Sequence, residues 1–313
     1  MRFDWLMGVA LLVSGCDSSE VVRVEGAAMG MSWQAQVVGG EAEQVEAELT
    51  QILERWEQAV SLWREDSELV RFNQKEAGVW VAVGEELWAA VSLAREVAEM
   101  TEGALDITVG PLVALWGFGP ERSRSSPPAE AEIQAVKQRC GWSLLERDAS
   151  RRSLKKERAD LALNVNAVVE GLVLEEIGQR LEELGYRDFL IELGGELLAR
   201  GRSPGGRPWV VGIQGPGGAV SELFSTLPLE DAVLATSGTY RHQWLSAGKP
   251  YSHLIDPRSG HPVAHALTSV SVVHDNGGYA DGLATALLVL GPEQGRAVAE
   301  RLRLRVFWIT AAE

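Results

Sequence analysis

Residues 267–292 read LTSVSVVHDNGGYADGLATALLVLGP. The first eight, Leu267–His274, are rich in Val, Ser and Thr and form a strand-like run. Gly277 and Gly278 then interrupt the chain, and the Ala- and Leu-rich residues 279–290 favour a helix that Gly291 and Pro292 close. Within that helix Asp281 and Thr285 stand four apart, so their side-chain oxygens project from one face. A hard cation such as magnesium takes oxygen ligands and is usually held by one or two protein groups together with substrate phosphate. An acidic residue near a helix start, stabilised by the dipole with a threonine packed behind it, has the same spacing. Spacing alone leaves both open.

Outward from this segment, helices and strands follow one another in mixed order. Met31–Val38 is strand-like, and Gly39 and Gly40 lead into a helix over 41–61 with Val45, Leu49, Ile52, Leu53, Trp56 and Val60 at helical spacing and Glu54 and Glu57 on the solvated face. A second amphipathic helix over 85–101 turns Leu87, Trp88, Val91 and Val97 inward and stops at Gly103. Residues 121–128, ERSRSSPP, form the loop or linker expected from stacked serines and charges ahead of two prolines. A short helix over 129–139, hairpin strands within 142–163, and a long helix over 167–184 ended by Gly185 come next. Phe189–Leu193 and Trp209–Gln214 are further β-rich segments, and a helix and the apolar strand 306–309 finish the chain. The absence of regular strand–helix alternation argues for α+β rather than a doubly wound sheet.

Glycine-bearing turns are expected at Gly194 and Gly195 after Leu193, at Ser237 and Gly238 after Thr236, and at Gly277 and Gly278 ahead of the last long helix. Amides in such turns can cradle phosphate oxygens, although most are simply turns. Neither GxGxxG nor GxxxxGK[ST] occurs, so a Rossmann dinucleotide site and a Walker NTPase are unsupported. His253 lies where an apolar strand meets a Pro and Gly turn, a placement that suits proton transfer near neutral pH or a plain backbone hydrogen bond.

With 29 Lys and Arg against 44 Asp and Glu, the net charge of -15 repels a nucleic-acid backbone, and a small anionic ligand needs local cationic help. The start, MRFDWLMGVALLVSGC, has an apolar run over 5–13 that is too short for a span of about 20 residues and reads as a secretory signal over 1–15. Val13, Ser14, Gly15 and Cys16 resemble a bacterial lipobox, with Cys16 as the lipidated residue and 16–25 as anchor and tether. The chain has only two cysteines, which excludes a disulfide scaffold and a multi-cysteine zinc site.

Eight ordered segments together resemble the ApbE-like FAD:protein FMN transferases: 26–33 (GAAMGMSW), 61–73 (SLWREDSELVRFN), 104–120 (ALDITVGPLVALWGFGP), 164–171 (NVNAVVEG), 192–201 (ELGGELLARG), 235–240 (ATSGTY), 251–262 (YSHLIDPRSGHP) and 280–291 (ADGLATALLVLG). The resemblance implies one two-lobed, T-fold-related α+β domain over 26–313, with mixed sheets, helices and a cofactor cleft. It implies Mg2+ and, as substrate, FAD. Asp281, Thr285 and the Ala167 carbonyl match the metal ligands. Met29 and Trp63 match the isoalloxazine contacts. Glu170 and the Gly194–Gly195 turn match the pocket lining, Ser237, Gly238 and His253 the reacting end, and Asp106 and Thr108 a further cofactor-side signature. His253 and Asp281 are the implied catalytic pair. The implied partner is a flavoprotein subunit of a membrane electron-transfer complex, and the implied location the periplasmic face of the inner membrane. Met31, Asn164, Glu170 and Thr239 depart from the commonest family pattern, where Thr or Ser, Asp, Lys and Asp stand.

Overall fold

The computed structural model describes residues 21–120, 124–215 and 223–310; the expected leader 1–15, Cys16, residues 17–20 of the tether and 121–123 of the linker lie outside them. In chain order the elements are β1 (Val21–Ala28), β2 (Met31–Val38), α1 (Ala42–Val60), α2 (Glu68–Asn73), β3 (Trp80–Ala82), α3 (Glu85–Met100), α4 (Gly110–Leu115), α5 (Glu130–Lys137), β4 (Leu145–Asp148), β5 (Ser153–Lys156) and α6 (Asn166–Glu183). There follow β6 (Phe189–Leu193), β7 (Glu196–Arg200), β8 (Trp209–Gln214), β9 (Leu223–Leu229), β10 (Ala232–Gly238), β11 (Gln243–Ser246), β12 (Lys249–Ser252), β13 (Ile255–Asp256), β14 (His261–Pro262), β15 (Leu267–His274), α7 (Gly277–Arg301) and β16 (Arg305–Thr310).

The central sheet has seven strands in the order β1-β2-β6-β7-β10-β15-β16. Every neighbouring pair is antiparallel. Its helix-side core joins α1, α3, α6 and α7 through Leu49, Val91, Leu174 and Leu287 to sheet residues such as Val37, Ile191 and Val272. The opposite face carries the β8–β9 ribbon, whose Trp209, Val211 and Leu227 pack on Leu190, Leu197 and Leu234. Each sheet face is thus covered, so the central strands read as nearly continuous hydrophobic runs; β6, FLIEL, is buried at every position. A third small core of Leu112, Leu115, Trp116, Ile133 and Ile255 supports the His253 region.

The α1 pattern holds: all six expected core positions are buried and Glu54 is exposed, while Glu57 is only half exposed. Residues 21–25 are a correction to the expected tether. They belong to β1, which pairs with β2 from Val21 opposite Val38 to Ala28 opposite Met31. Alternating Val22 and Val24 with Arg23 and Glu25 is the period-2 signature that places them there. Ser237 and Gly238 are a second correction. They do not form a turn but end β10, opposite Val270 and Ser269 of β15. Gly277 and Gly278 are a third, since they form the first turn of α7 behind the cap Asn276, whose side chain accepts from Tyr279 N. Helix continues on both sides of Gly291, whose φ of 78° and ψ of -176° break it where the sequence stops it. Among the described residues no helix is long and apolar enough to cross a membrane.

Candidate active site

The site is built where α6 and α7 cross. A Cβ on Gly171 would lie 2.0 Å from the Gly277 carbonyl oxygen, and one on Gly277 would lie 2.2 Å from that of Gly171. Only glycine at both positions permits this approach. It brings Asp281 Oδ2 to 3.2 Å from Gly171 N, which donates to it. In a regular helix that same N–H faces the carbonyl of Ala167, four residues earlier, so Asp281 reaches the turn that carries Ala167. One turn along α7, Thr285 Oγ1 lies 2.8 Å from Ser237 Oγ at the end of β10. Asp281, Thr285 and Ser237 therefore lie where α7 meets α6 and β10, with Ala167 on the α6 turn that Asp281 reaches.

Charge at this junction is unbalanced. Asp281 is buried, with 6% exposure, and burial followed by the neighbouring Glu196 charge holds its carboxyl well above the usual carboxylate range. Glu170 is raised in the same way, by burial first and then by Glu196 and Asp281. Burial also pushes Glu192 up to about 7. Glu196 Oε2 is buried without a hydrogen-bond partner. Against these stands Arg241, whose own burial opposes its charge but is outweighed by Glu196 and Glu170. The donor set is all oxygen, and acidic side chains outnumber the one buried arginine, which fits a hard cation. Among the described residues no group of three or more His, Cys, Asp or Glu is placed to hold a metal. One carboxylate, one hydroxyl and one carbonyl would leave half of an octahedral shell to phosphate and water, which suits magnesium.

Arg241 and Glu196 were not singled out in the sequence. Arg241 is a buried cation set among the acidic side chains Glu196 and Glu170. It donates to the Gly194 carbonyl, and a Cβ on Gly195 would collide with its guanidinium at 2.5 Å. The expected turn at Gly194 and Gly195 is present between β6 and β7, with φ of 60° and 106°. A Cβ on Gly194 would sit 3.0 Å from Glu170 Oε2 and 2.5 Å from Met31 Sδ, so Glu170 does line this turn and Met31 packs on it. Position alone could have flagged Arg241, three residues beyond the Ser237–Gly238 motif.

His253 follows β12. Its Nδ1 lies 3.0 Å from the His242 carbonyl oxygen, and its backbone N–H donates to the same oxygen. A carbonyl only accepts, so Nδ1 carries the proton and Nε2 keeps its lone pair. Burial, helped by His242, pulls the imidazole down to about 4, so it is neutral at neutral pH. This is the protonation state a general base requires.

Met29 and Trp63 lie toward the C-terminal end of α1. Met29 and Gly30, with φ of 55° and 76°, form the two-residue β1–β2 turn, and Met29 N donates to Glu57 Oε2 at 3.3 Å. A positive φ at methionine is costly and concentrates at functional positions. Trp63 is 64% exposed, an indole face free for a planar ligand. Asp106 and Thr108 are engaged elsewhere. Asp106 Oδ1 accepts from Thr108 N and Oγ1, at 2.8 and 2.6 Å, and the fully buried Thr108 hydroxyl accepts from Gly141 N. The pair braces the segment whose Ile107 carbonyl accepts from Asn164 N at 2.7 Å, just before α6. Asn164 Oδ1 in turn accepts from Asn166 N, so the amide fills the turn-capping role open to aspartate. Cys140 is half-buried and its thiol is pushed up to about 12 by burial, which disfavours the nucleophilic thiolate.

Fold and site thus define a single-domain α+β protein in which oxygen side chains of Asp281, Thr285 and Ser237 cluster where α7 meets α6 and β10, with a glycine turn at Gly194–Gly195 and a neutral histidine at His253. The chain belongs to the ApbE family, whose model matches residues 29–308. It is 35% identical to an FAD:protein FMN transferase of Klebsiella pneumoniae and 34% to that of Escherichia coli, in each case over 97% of this chain and 91% of the relative. Among solved structures, the flavin transferase ApbE of Vibrio cholerae superposes with a TM-score of 0.86 at 32% identity, covering 94% of this chain and 95% of the other. The flavinyl transferase ApbE of Pseudomonas stutzeri, in apo form, also gives 0.86, at 34% identity over 94% and 92%.

Proposed function

We propose that this protein is a Mg2+-dependent FAD:protein FMN transferase. The observation that carries the proposal is the junction of Asp281, Thr285 and Ala167 beside Glu170 and the Gly194 turn, in a chain 35% identical over nearly its whole length to an enzyme of that name. Asp281, Thr285 and the Ala167 carbonyl would hold magnesium, which when bound supplies positive charge to the FAD pyrophosphate. Met29 and Trp63 seat the isoalloxazine, with Trp63 giving stacking area. The Gly194–Gly195 turn and Arg241 orient the phosphates. His253 Nε2 takes the proton from an acceptor Ser or Thr hydroxyl. The hydroxyl oxygen attacks the FMN-side phosphorus, the bond to the AMP phosphate breaks, and AMP leaves with FMN now phosphoester-linked to the acceptor. Positioning and electrostatics supply most of the catalysis, as in other phosphoryl transfers.

The protein acts outside the cytoplasm, held by acylated Cys16 at the periplasmic face of the inner membrane, on a flavoprotein of a membrane electron-transfer complex. The lipobox-like end of the leader supports this location. Purified protein incubated with FAD, Mg2+ and an acceptor domain should raise the acceptor's mass by one FMN with equimolar AMP. AMP without the mass gain would show an FAD pyrophosphatase instead, and FAD retained with neither product a flavin carrier.

A further inference from the structure

The β11–β12 hairpin stands apart from the central sheet as a two-stranded ribbon that, among the described residues, pairs with no other strand. Its turn, Ala247 and Gly248 with φ of 49° and 78°, is the two-residue kind that joins a hydrogen-bonded pair, Ser246 opposite Lys249. Pairs then alternate, so Trp244 and Tyr251 bond to each other while the backbone groups of Gln243, Leu245, Pro250 and Ser252 point outward. The His253 N–H donating to the His242 carbonyl continues this ladder and confirms its phase.

The two outer edges differ. On β12 the outward position nearest the turn is Pro250, which has no N–H, a device that blocks strand addition. On β11, Gln243 and Leu245 keep both donor and acceptor, and neither makes a hydrogen bond outside the ladder among the described residues. Leu245 is also 66% exposed, an apolar side chain on the open edge. The ribbon is nonetheless rigidly based. Trp244 and Tyr251 stack at 4.6 Å, Tyr251 stacks on Trp116 at 5.5 Å, and Trp244 Nε1 donates to the Trp116 carbonyl. The open edge runs directly into His242, whose ring lies 5.3 Å from that of His253.

We propose that the β11 edge docks the acceptor protein, which adds the extended segment carrying its hydroxyl residue as a third strand leading to His253. This rests on the transferase function proposed above, which requires a second, polypeptide substrate at His253. Backbone pairing gives affinity with little sequence demand, and Leu245 covers one apolar side chain of the acceptor.

The test uses the whole enzyme with an acceptor domain. Leu245→Pro removes the outward N–H on β11, as Pro250 does on β12, and leaves the ladder bonds of residues 244 and 246 intact. Its KM for acceptor should rise by about tenfold or more, equivalent to about 1.4 kcal/mol, while FAD affinity and kcat stay near wild type. In the wild-type enzyme, an acceptor whose reactive hydroxyl residue is replaced by alanine should slow amide hydrogen exchange at Gln243 and Leu245. An unchanged KM, or slowed exchange confined to residues away from β11, overturns the docking proposal and leaves the transferase function standing. Loss of FAD affinity in Leu245→Pro together with unprotected β11 amides in wild type also overturns it. A wild-type enzyme that binds FAD but flavinylates no acceptor overturns both.

Discussion

His253 shows how much a single hydrogen bond decides. Because the His242 carbonyl can only accept, the proton sits on Nδ1 and the free lone pair on Nε2. With its folded pKa drawn down to about 4 by burial, the ring stays a base well below the usual histidine range. The acid limb of kcat/KM for transfer is therefore expected near pH 4 to 5. A half-loss near pH 6.5 would contradict this. The linkage sign follows: the unfolded chain binds this proton first, so the stability His253 contributes is present above about pH 6.5 and is lost as pH falls toward 4. Trp63 tests the flavin seat. As it is 64% exposed, Trp63→Ala should leave thermal stability within about 0.5 kcal/mol of wild type yet weaken FAD binding by about tenfold, as read by flavin fluorescence titration. Sequence alone placed both residues through resemblance. Arg241 is reachable from sequence only by its nearness to the Ser237–Gly238 motif, and Glu196 not at all, because the charge each presents depends on burial beside the other, a property of the folded junction.

At the scale of elements, the α6–α7 crossing is what brings the Asp281 carboxyl of an i,i+4 pattern onto the first turns of α6. Gly171→Ala would put a methyl 2.0 Å from the Gly277 carbonyl, a clash with backbone that no rotamer relieves. Overpacking of this kind costs about 1–3 kcal/mol, and separating the helices also moves Asp281 off the α6 turn. Thermal denaturation should thus show a lowered midpoint, and added Mg2+ should no longer raise it. A variant as stable as wild type with an intact Mg2+ response would contradict the crossing's role. Strands with a clear period or a long β-branched run were legible: β2, β6, β8 and β15 lie where the sequence put them. In β1 the charged Arg23 and Glu25 resemble a tether, and four alternating residues become decisive for a strand only with β2 paired beside them. Ser237 and Gly238 read as a turn because a small polar residue before glycine is a turn signal, overridden here by ladder pairing with β15.

For the whole molecule, the α+β class follows from mixed element order, whereas the strand order of the sheet does not, since β2–β6, β7–β10 and β10–β15 pair across long stretches of sequence. That topology places the Gly194 turn, the end of β10 and the start of α7 together. The junction of α6 and α7 is electrostatically costly: burial and the neighbouring Glu196 push the Asp281 and Glu170 carboxyls well above their usual range. Asp281→Asn should relieve part of that repulsion, so the metal-free variant is expected to be at least as heat-stable as wild type while losing activity, a common trade at active sites. The most direct measurement is acceptor flavinylation, followed by intact mass, as Mg2+ is titrated into wild type and Asp281→Asn with FAD saturating. Saturable Mg2+ dependence in wild type and a rate at least about a hundredfold lower in Asp281→Asn are predicted. Transfer by Asp281→Asn at the wild-type rate, or transfer by wild type that is indifferent to Mg2+ and to EDTA, would contradict it.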